Sequence, residues 1–219
     1  MTMNKQKGNM YAFVTHTWNP IKGICSHNCK YCYMKVWPQK PLHFVKKELE
    51  DNLGENNFIF IGSSTDMFAE NVPSEWITQV LDKCKQHDNT YLFQSKNPRR
   101  FSEFKSEFPE NSVFGTTLES NKDFEPKLSD APYNSIRAGC LAGFDAERKM
   151  VTIEPITEFN LKFFVELIKL VEPEWVTIGA DSKEHDLPEP GKKEVLLLID
   201  NLKQFTDVKI KDTLKRIIQ

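Results

Sequence analysis

At 219 residues and 25.5 kDa, with 39% hydrophobic and 27% charged residues, the chain reads as one domain, residues 1–219, able to bury a sizeable core. Its 29 basic and 31 acidic residues give a net charge of −2, so overall charge excludes a global field that attracts polyanions. MTMNKQKGNMYAF at the start has no apolar core ahead of a cleavage site, no run approaches the ~18 apolar residues of a membrane span, and five cysteines with three in one loop do not read as a disulfide framework; a cytoplasmic protein with no membrane partner is expected.

In chain order, YAFVTHT (11–17) reads as a first strand, and WNPIKGICSHNCKYCYMKVWP (18–38) follows, with Pro20 and Gly23 turning the chain ahead of Cys25, Cys29 and Cys32. FIFIG (58–62) is the second strand and leads into GSSTDMFAE. PSEWITQVLDKCKQ (73–86) then spaces Trp76, Ile77, Val80 and Leu81 along one helix face. TYLFQS (90–95) runs into SKNPRR, and VFGTTLE (113–119) carries TTLESN at its end. MVTIEP (150–155) precedes the helix NLKFFVELIKLV, and WVTIGA (175–180) precedes the loop EHDLPEPGKK (184–193) and the helix KKEVLLLIDNLKQF. Six βα units result. Several strands are nearly continuous apolar runs, as expected where both faces are covered, so a curved, mainly parallel sheet forming a partial barrel is the economical architecture. There is no repeat, low-complexity tract or linker, and the 184–193 loop is placed to act as a lid.

In parallel α/β folds the working residues gather at the carboxyl ends of strands, and here each of the six ends is polar. Three thiolates spaced four and three residues apart can wrap three corners of a cubane iron–sulfur cluster and leave the fourth iron open for a ligand. Zinc completed by His27 or His16 is the competing reading, although structural zinc usually takes two separated ligand pairs.

CSHNCKYC has the form CxxxCxxC with an aromatic before the third cysteine, directly after a first strand, and in this the chain resembles the radical S-adenosylmethionine superfamily. GSSTDMF, SKNPRR, TTLES, TIEP and IGADSKEHDLPEP resemble a branch carried by phages and bacteria and distantly similar to spore photoproduct lyase. The resemblance implies a partial (β/α)6 radical SAM barrel and a 4Fe-4S cluster on Cys25, Cys29 and Cys32. The open iron would chelate S-adenosylmethionine, whose reductive cleavage yields methionine and a 5′-deoxyadenosyl radical that abstracts hydrogen from substrate. An external electron donor such as flavodoxin or ferredoxin is implied as well.

What that cofactor needs suggests roles. Ser63, Ser64, Thr65 and Asp66 are candidates for its amino group, in place of the superfamily's commoner Gly-Gly-Glu run. Ser95 and Lys96 suit its carboxylate, and Glu119 with Thr117 suits its ribose; a Lys96–Glu119 ion pair is the structural alternative. Arg99 and Arg100 read as a solvated or substrate-facing helix start. Tyr31 covers the cofactor or simply packs. Glu154 and Asp181 are the candidate catalytic residues, with Ser182 and His185 also left for substrate. Cys84 and Cys140 read as packing residues, and no auxiliary cluster is expected. The lyase resemblance and the basic segments KNPRR and KIKDTLKR favour a nucleotide or nucleic-acid substrate, against the net charge. A non-catalytic iron–sulfur electron carrier or sensor is the alternative; it would need the cysteines but not Ser63–Asp66, Lys96 and Glu119.

Overall fold

A computed structural model describes residues 3–7, 10–124 and 126–219. The strands are β1 (Asn4–Lys5), β2 (His16–Trp18), β3 (Ile21–Lys22), β4 (His43–Phe44), β5 (Phe58–Ile61), β6 (Thr90–Gln94), β7 (Ser112–Thr117), β8 (Lys149–Ile153), β9 (Trp175–Ile178) and β10 (Asp207–Ile210). The α-helices are α1 (Ser74–Lys85), α2 (Asn134–Gly143), α3 (Leu161–Val171), α4 (Lys192–Leu202) and α5 (Lys215–Ile218). Strand order in the main sheet is β1-β2-β5-β6-β7-β8-β9-β10, with β1 antiparallel to β2 and every other pairing parallel, while β3 and β4 form a separate hairpin. No helix among the described residues is long and apolar enough to cross a membrane.

Strand alternation sorts the apolar runs into two cores. Ile59 and Ile61, Tyr91 and Phe93, and Val151 and Ile153 share the large core with Ile77, Val80 and Leu81 of α1, Phe164 and Ile168 of α3, and Val195 and Leu198 of α4. The alternate positions, Phe60, Leu92, Val113, Met150 and Trp175, form a second core on the opposite face with Tyr11 and Val14. Each of the strands β5 to β9 is therefore apolar on both sides, which is why these runs lack a polar rhythm. Cys84 lies wholly inside the large core, and Cys140 sits on α2.

Three expectations are corrected. The strand expected at 11–17 is β2 and begins only at His16; residues 11–14 instead cover the inner face, with Tyr11 stacked on Phe13 and Phe13 edge-on to Trp175. The chain adds a parallel strand, β10, where KIKDTLKR read only as a basic segment. Arg100 is not solvated: 5% exposed, it donates from Nη1 to the Ala69 and Val72 carbonyls at 2.8 and 2.9 Å and from Nη2 to Ser74 Oγ at 3.1 Å. The guanidinium thus satisfies backbone acceptors in the turn before α1, while Arg99 stays exposed near Glu70.

Candidate functional site

Because β2 and β5 to β10 run the same way, their carboxyl ends share one edge, and a cavity of about 490 Å³ opens there. Cys25, Cys29, Cys32, Tyr31, Ser63, Ser64, Thr65, Asp66, Ser95, Lys96, Thr117, Glu154 and Asp181 all line it, together with Ser182. Residues separated by more than 150 positions in sequence are brought to one cavity by the strand order and by the loop that follows β3.

The cysteine loop is tied down from both sides. Gly23 has φ +106°, and a Cβ there would meet the Pro41 carbonyl at 2.4 Å, so only glycine lets the two segments pass so closely. Thr65 Oγ1 donates to the Gly23 carbonyl at 2.9 Å, Tyr33 OH to the Ser63 carbonyl at 2.7 Å, and Ser63 Oγ and Ser64 N both donate to Asn19 Oδ1. His27, the buried histidine inside the cysteine motif, directs Nε2 at Asp66 Oδ2 at 2.8 Å. The same oxygen accepts from Ser95 Oγ at 2.9 Å and Lys96 N at 2.8 Å, and Oδ1 accepts from Phe68 N at 2.9 Å. Burial pushes the Asp66 pKa up, but the facing imidazole and these donors outweigh it and hold the carboxyl below the usual range. Asp66 therefore fastens the cysteine loop to the ends of β5 and β6.

Burial pushes the Cys25 thiol up to about 12, with Asp66 adding to the shift, and burial raises Cys29 too. The three thiols share one wall of the cavity, yet among the described residues no three His, Cys, Asp or Glu side chains converge as a ready-made metal site. The donor set, three free thiols in a single loop lining the cavity, is chemically suited to an iron–sulfur cluster.

Lys96 and Glu119 pair with each other: Nζ lies 2.7 Å from Oε1 and 5.3 Å from the centre of the Tyr31 ring. Glu119, 2% exposed, stands behind the cavity wall rather than on it, and also accepts from the Tyr31 hydroxyl and from Arg137 Nη1, the latter at 2.8 and 3.2 Å. Burial raises the Glu119 pKa, but Arg137 and then Lys96 prevail and lower it to about 2. Arg137, on α2, had no signal in the sequence beyond a charge inside an otherwise small-residue helix.

The floor is a polar layer that the sequence reading missed. Tyr11 OH donates to Gln94 Oε1 at 2.9 Å and lies 2.8 Å from Thr152 Oγ1, and Gln94 Nε2 donates to Thr117 Oγ1 at 3.1 Å. Gln94, Thr117 and Thr152 occupy inward positions of three successive strands, so polar residues interrupting apolar runs were the available signal. Beyond them Glu154 Oε2 meets Lys211 Nζ at 2.6 Å; Lys211 follows β10 and lies 5.0 Å from the Tyr11 ring centre. A Cβ on Gly179 would fall 2.6 Å from Glu154 Oε1, so the carboxylate packs into space that glycine leaves.

Asp181 is occupied by its own loop. Oδ1 accepts from Lys183 N at 3.1 Å and His185 Nδ1 at 2.6 Å, and Oδ2 accepts from His185 N at 2.5 Å. Burial pushes its pKa up, but these donors, led by the His185 ring, bring it below the usual range. Arg216 of α5 clasps the loop from outside through Glu189 and the Asp181 carbonyl.

Residues 9–190 match the model of a family described as a protein of unknown function, DUF5131, and the chain belongs to that family. A cysteine-to-serine variant of spore photoproduct lyase shares the fold with a TM-score of 0.65 at 11% identity, over 95% of this chain and 80% of that one. A double variant of the same enzyme, with bound AdoMet and dinucleoside spore photoproduct, gives 0.52 at 11% identity over 91% of this chain and 64% of that one. No curated protein sequence matches.

Proposed function

We propose that this DUF5131 member is a radical S-adenosylmethionine enzyme built on a partial barrel. The carrying observation is that Cys25, Cys29 and Cys32 of the CxxxCxxC loop share one cavity with the polar ends of the parallel strands, in a fold similar to that of spore photoproduct lyase. Support for the cofactor comes from the neighbour that holds AdoMet. The three cysteines would hold a 4Fe-4S cluster, which supplies the electron that splits S-adenosylmethionine into methionine and a 5′-deoxyadenosyl radical able to take hydrogen from substrate.

The chain's own residues bind and orient. Ser63 and Ser64 offer hydroxyls to the amino end of the cofactor, while Asp66 holds His27 and the cysteine loop in register with them. Lys96 offers its cation to the carboxylate, fixed by Glu119 and by the Tyr31 ring, and Thr117 faces the sugar from the floor. Glu154, with Lys211, and the Asp181–Lys183 loop line the part of the cavity left to the substrate.

The test is anaerobic reconstitution with iron and sulfide, followed by dithionite and S-adenosylmethionine and chromatography for 5′-deoxyadenosine. About four irons should bind, and product should form. A Cys25, Cys29, Cys32 triple alanine variant that keeps its iron and visible absorption would overturn the ligand assignment. A loaded cluster that yields no 5′-deoxyadenosine would point to the electron carrier instead.

A further inference from the structure

Residues 1–47 contain eight lysines and no arginine, aspartate or glutamate, while the rest of the chain carries 21 basic and 31 acidic residues. The near-neutral total conceals a strongly positive segment, and that segment is the one that carries the cysteine loop. The β3–β4 pairing and the backbone bonds Ile24 N to Lys40 O and Val45 N to Pro20 O hold residues 20–45 of it together, with the cysteine loop between them. Lys22 pairs with Glu48, but Lys40, Lys46 and Lys47 are exposed and form no ion pair among the described residues.

Two aromatic rings stand out of this surface. Trp37 is 57% exposed and Tyr33 42%, and both line the mouth of the cavity with Lys7. Exposed rings and unpaired ammonium groups carried on one segment supply the two elements by which phosphates are neutralised and bases stack without sequence preference. A rigid acidic protein would satisfy the lysines but would have no use for exposed ring faces at a cavity entrance; a flexible polyanion satisfies both and can feed one unit inward.

We infer that the face carried by residues 20–47, with Lys7 beside it, is a binding surface for single-stranded nucleic acid, which presents one nucleotide to the cavity. This names the substrate class of the proposed radical chemistry and rests on that reading only for what happens after the nucleotide enters. Binding is therefore measured without S-adenosylmethionine or reductant, which separates the failure of one idea from the failure of the other.

The probes are fluorescently labelled single-stranded DNA and RNA oligonucleotides of mixed sequence, titrated by anisotropy at several salt concentrations. Affinity should fall with salt, with a log–log slope of about −0.7 per phosphate contacted. Charge reversal at Lys40→Glu, Lys46→Glu and Lys47→Glu together should weaken binding at least ~10-fold and flatten that slope. Trp37→Ala should weaken it roughly 10-fold by loss of stacking while leaving the slope unchanged. The neutral triple Lys→Gln variant, its fold checked by circular dichroism, should fall between wild type and the reversal. Salt-independent binding, or binding indifferent to both the lysine and the tryptophan variants, overturns the inference. So does the result in which the lysine variants lose binding to an acidic flavodoxin while keeping oligonucleotide affinity, which would assign the face to a protein partner.

Discussion

Glu119 is the residue on which most charge converges, since one buried carboxylate serves Arg137, Lys96 and the Tyr31 hydroxyl. Glu119→Gln keeps the shape but leaves two cations uncompensated, and should cost about 3–5 kcal/mol at pH 7. The carboxyl's pKa is lowered from 4.5 to about 2 in the folded chain, so its contribution is fully present above about pH 4.5 and lost as pH falls through about 2. Urea midpoints measured from neutral pH downward should show the wild-type advantage over Glu119→Gln shrinking across that window; a gap that stays constant would mean the carboxylate is not the charged partner. Lys96→Ala is expected to weaken S-adenosylmethionine binding by about 1–3 kcal/mol with iron content intact, because a charged donor leaves the wall; calorimetry on reconstituted protein checks it, and unchanged affinity would place the carboxylate site elsewhere. The wall residues were legible because strand ends of a parallel sheet converge whatever their spacing in sequence. Tyr11, Gln94, Thr152 and Lys211 were not, since each lay inside or beside a run read for its apolar neighbours, and only knowledge of which face a strand position takes reveals the polar layer they form.

Among the elements, the five central strands were readable from β-branched and aromatic runs, and α1, α3 and α4 from apolar spacing. Near both ends of the sheet hydrophobicity misled, in opposite directions. At β2 the apolar residues 11–14 cover a face instead of pairing, and at β10 the sequence DVKI mixes charged residues into a half-exposed strand, so its hydrophobicity is too low to announce it. β10 matters because it brings Lys211 to Glu154. Gly179→Ala should push the Glu154 side chain away, since the new Cβ would overlap its oxygen, and so break the 2.6 Å pair with Lys211. The neighbour is the end of a flexible side chain, so the stability cost should stay below about 1.5 kcal/mol. A crystal structure of the variant with Glu154 still on Lys211 would show that the glycine is not what seats the carboxylate. The loop after β9 has its own organiser in Asp181, which gathers Lys183 and His185. Asp181→Ala should speed amide exchange at residues 183 and 185 while leaving the global unfolding free energy within about 0.5 kcal/mol of wild type; slow exchange at those amides in the variant would move the organising role to Arg216 and Glu189.

Across the whole molecule, helices cover one face of the sheet, residues 11–14 cover the other, and the cysteine loop joins to the strand edge through Gly23, His27 and Tyr33. The scaffold around the thiols is held by hydrogen bonds to β5 and β6 and not by the thiols themselves, so the fold should persist without metal while the loop gains from it. A group that binds the native chain and not the unfolded one adds RT ln(1 + [L]/Kd), about 2.7 kcal/mol at a hundredfold excess over Kd. For a chain of this length that corresponds to a rise of roughly 5–10 °C in melting temperature. Anaerobic reconstitution with iron and sulfide should therefore raise the melting temperature of wild type by that amount and slow protease cleavage within residues 24–38. The Cys25, Cys29, Cys32 triple alanine variant should melt near the unreconstituted wild type and show no rise with iron and sulfide. An equal rise in both proteins would place the bound metal away from the loop, and no rise in wild type would mean that the three thiols, though gathered on one wall, do not act together as ligands.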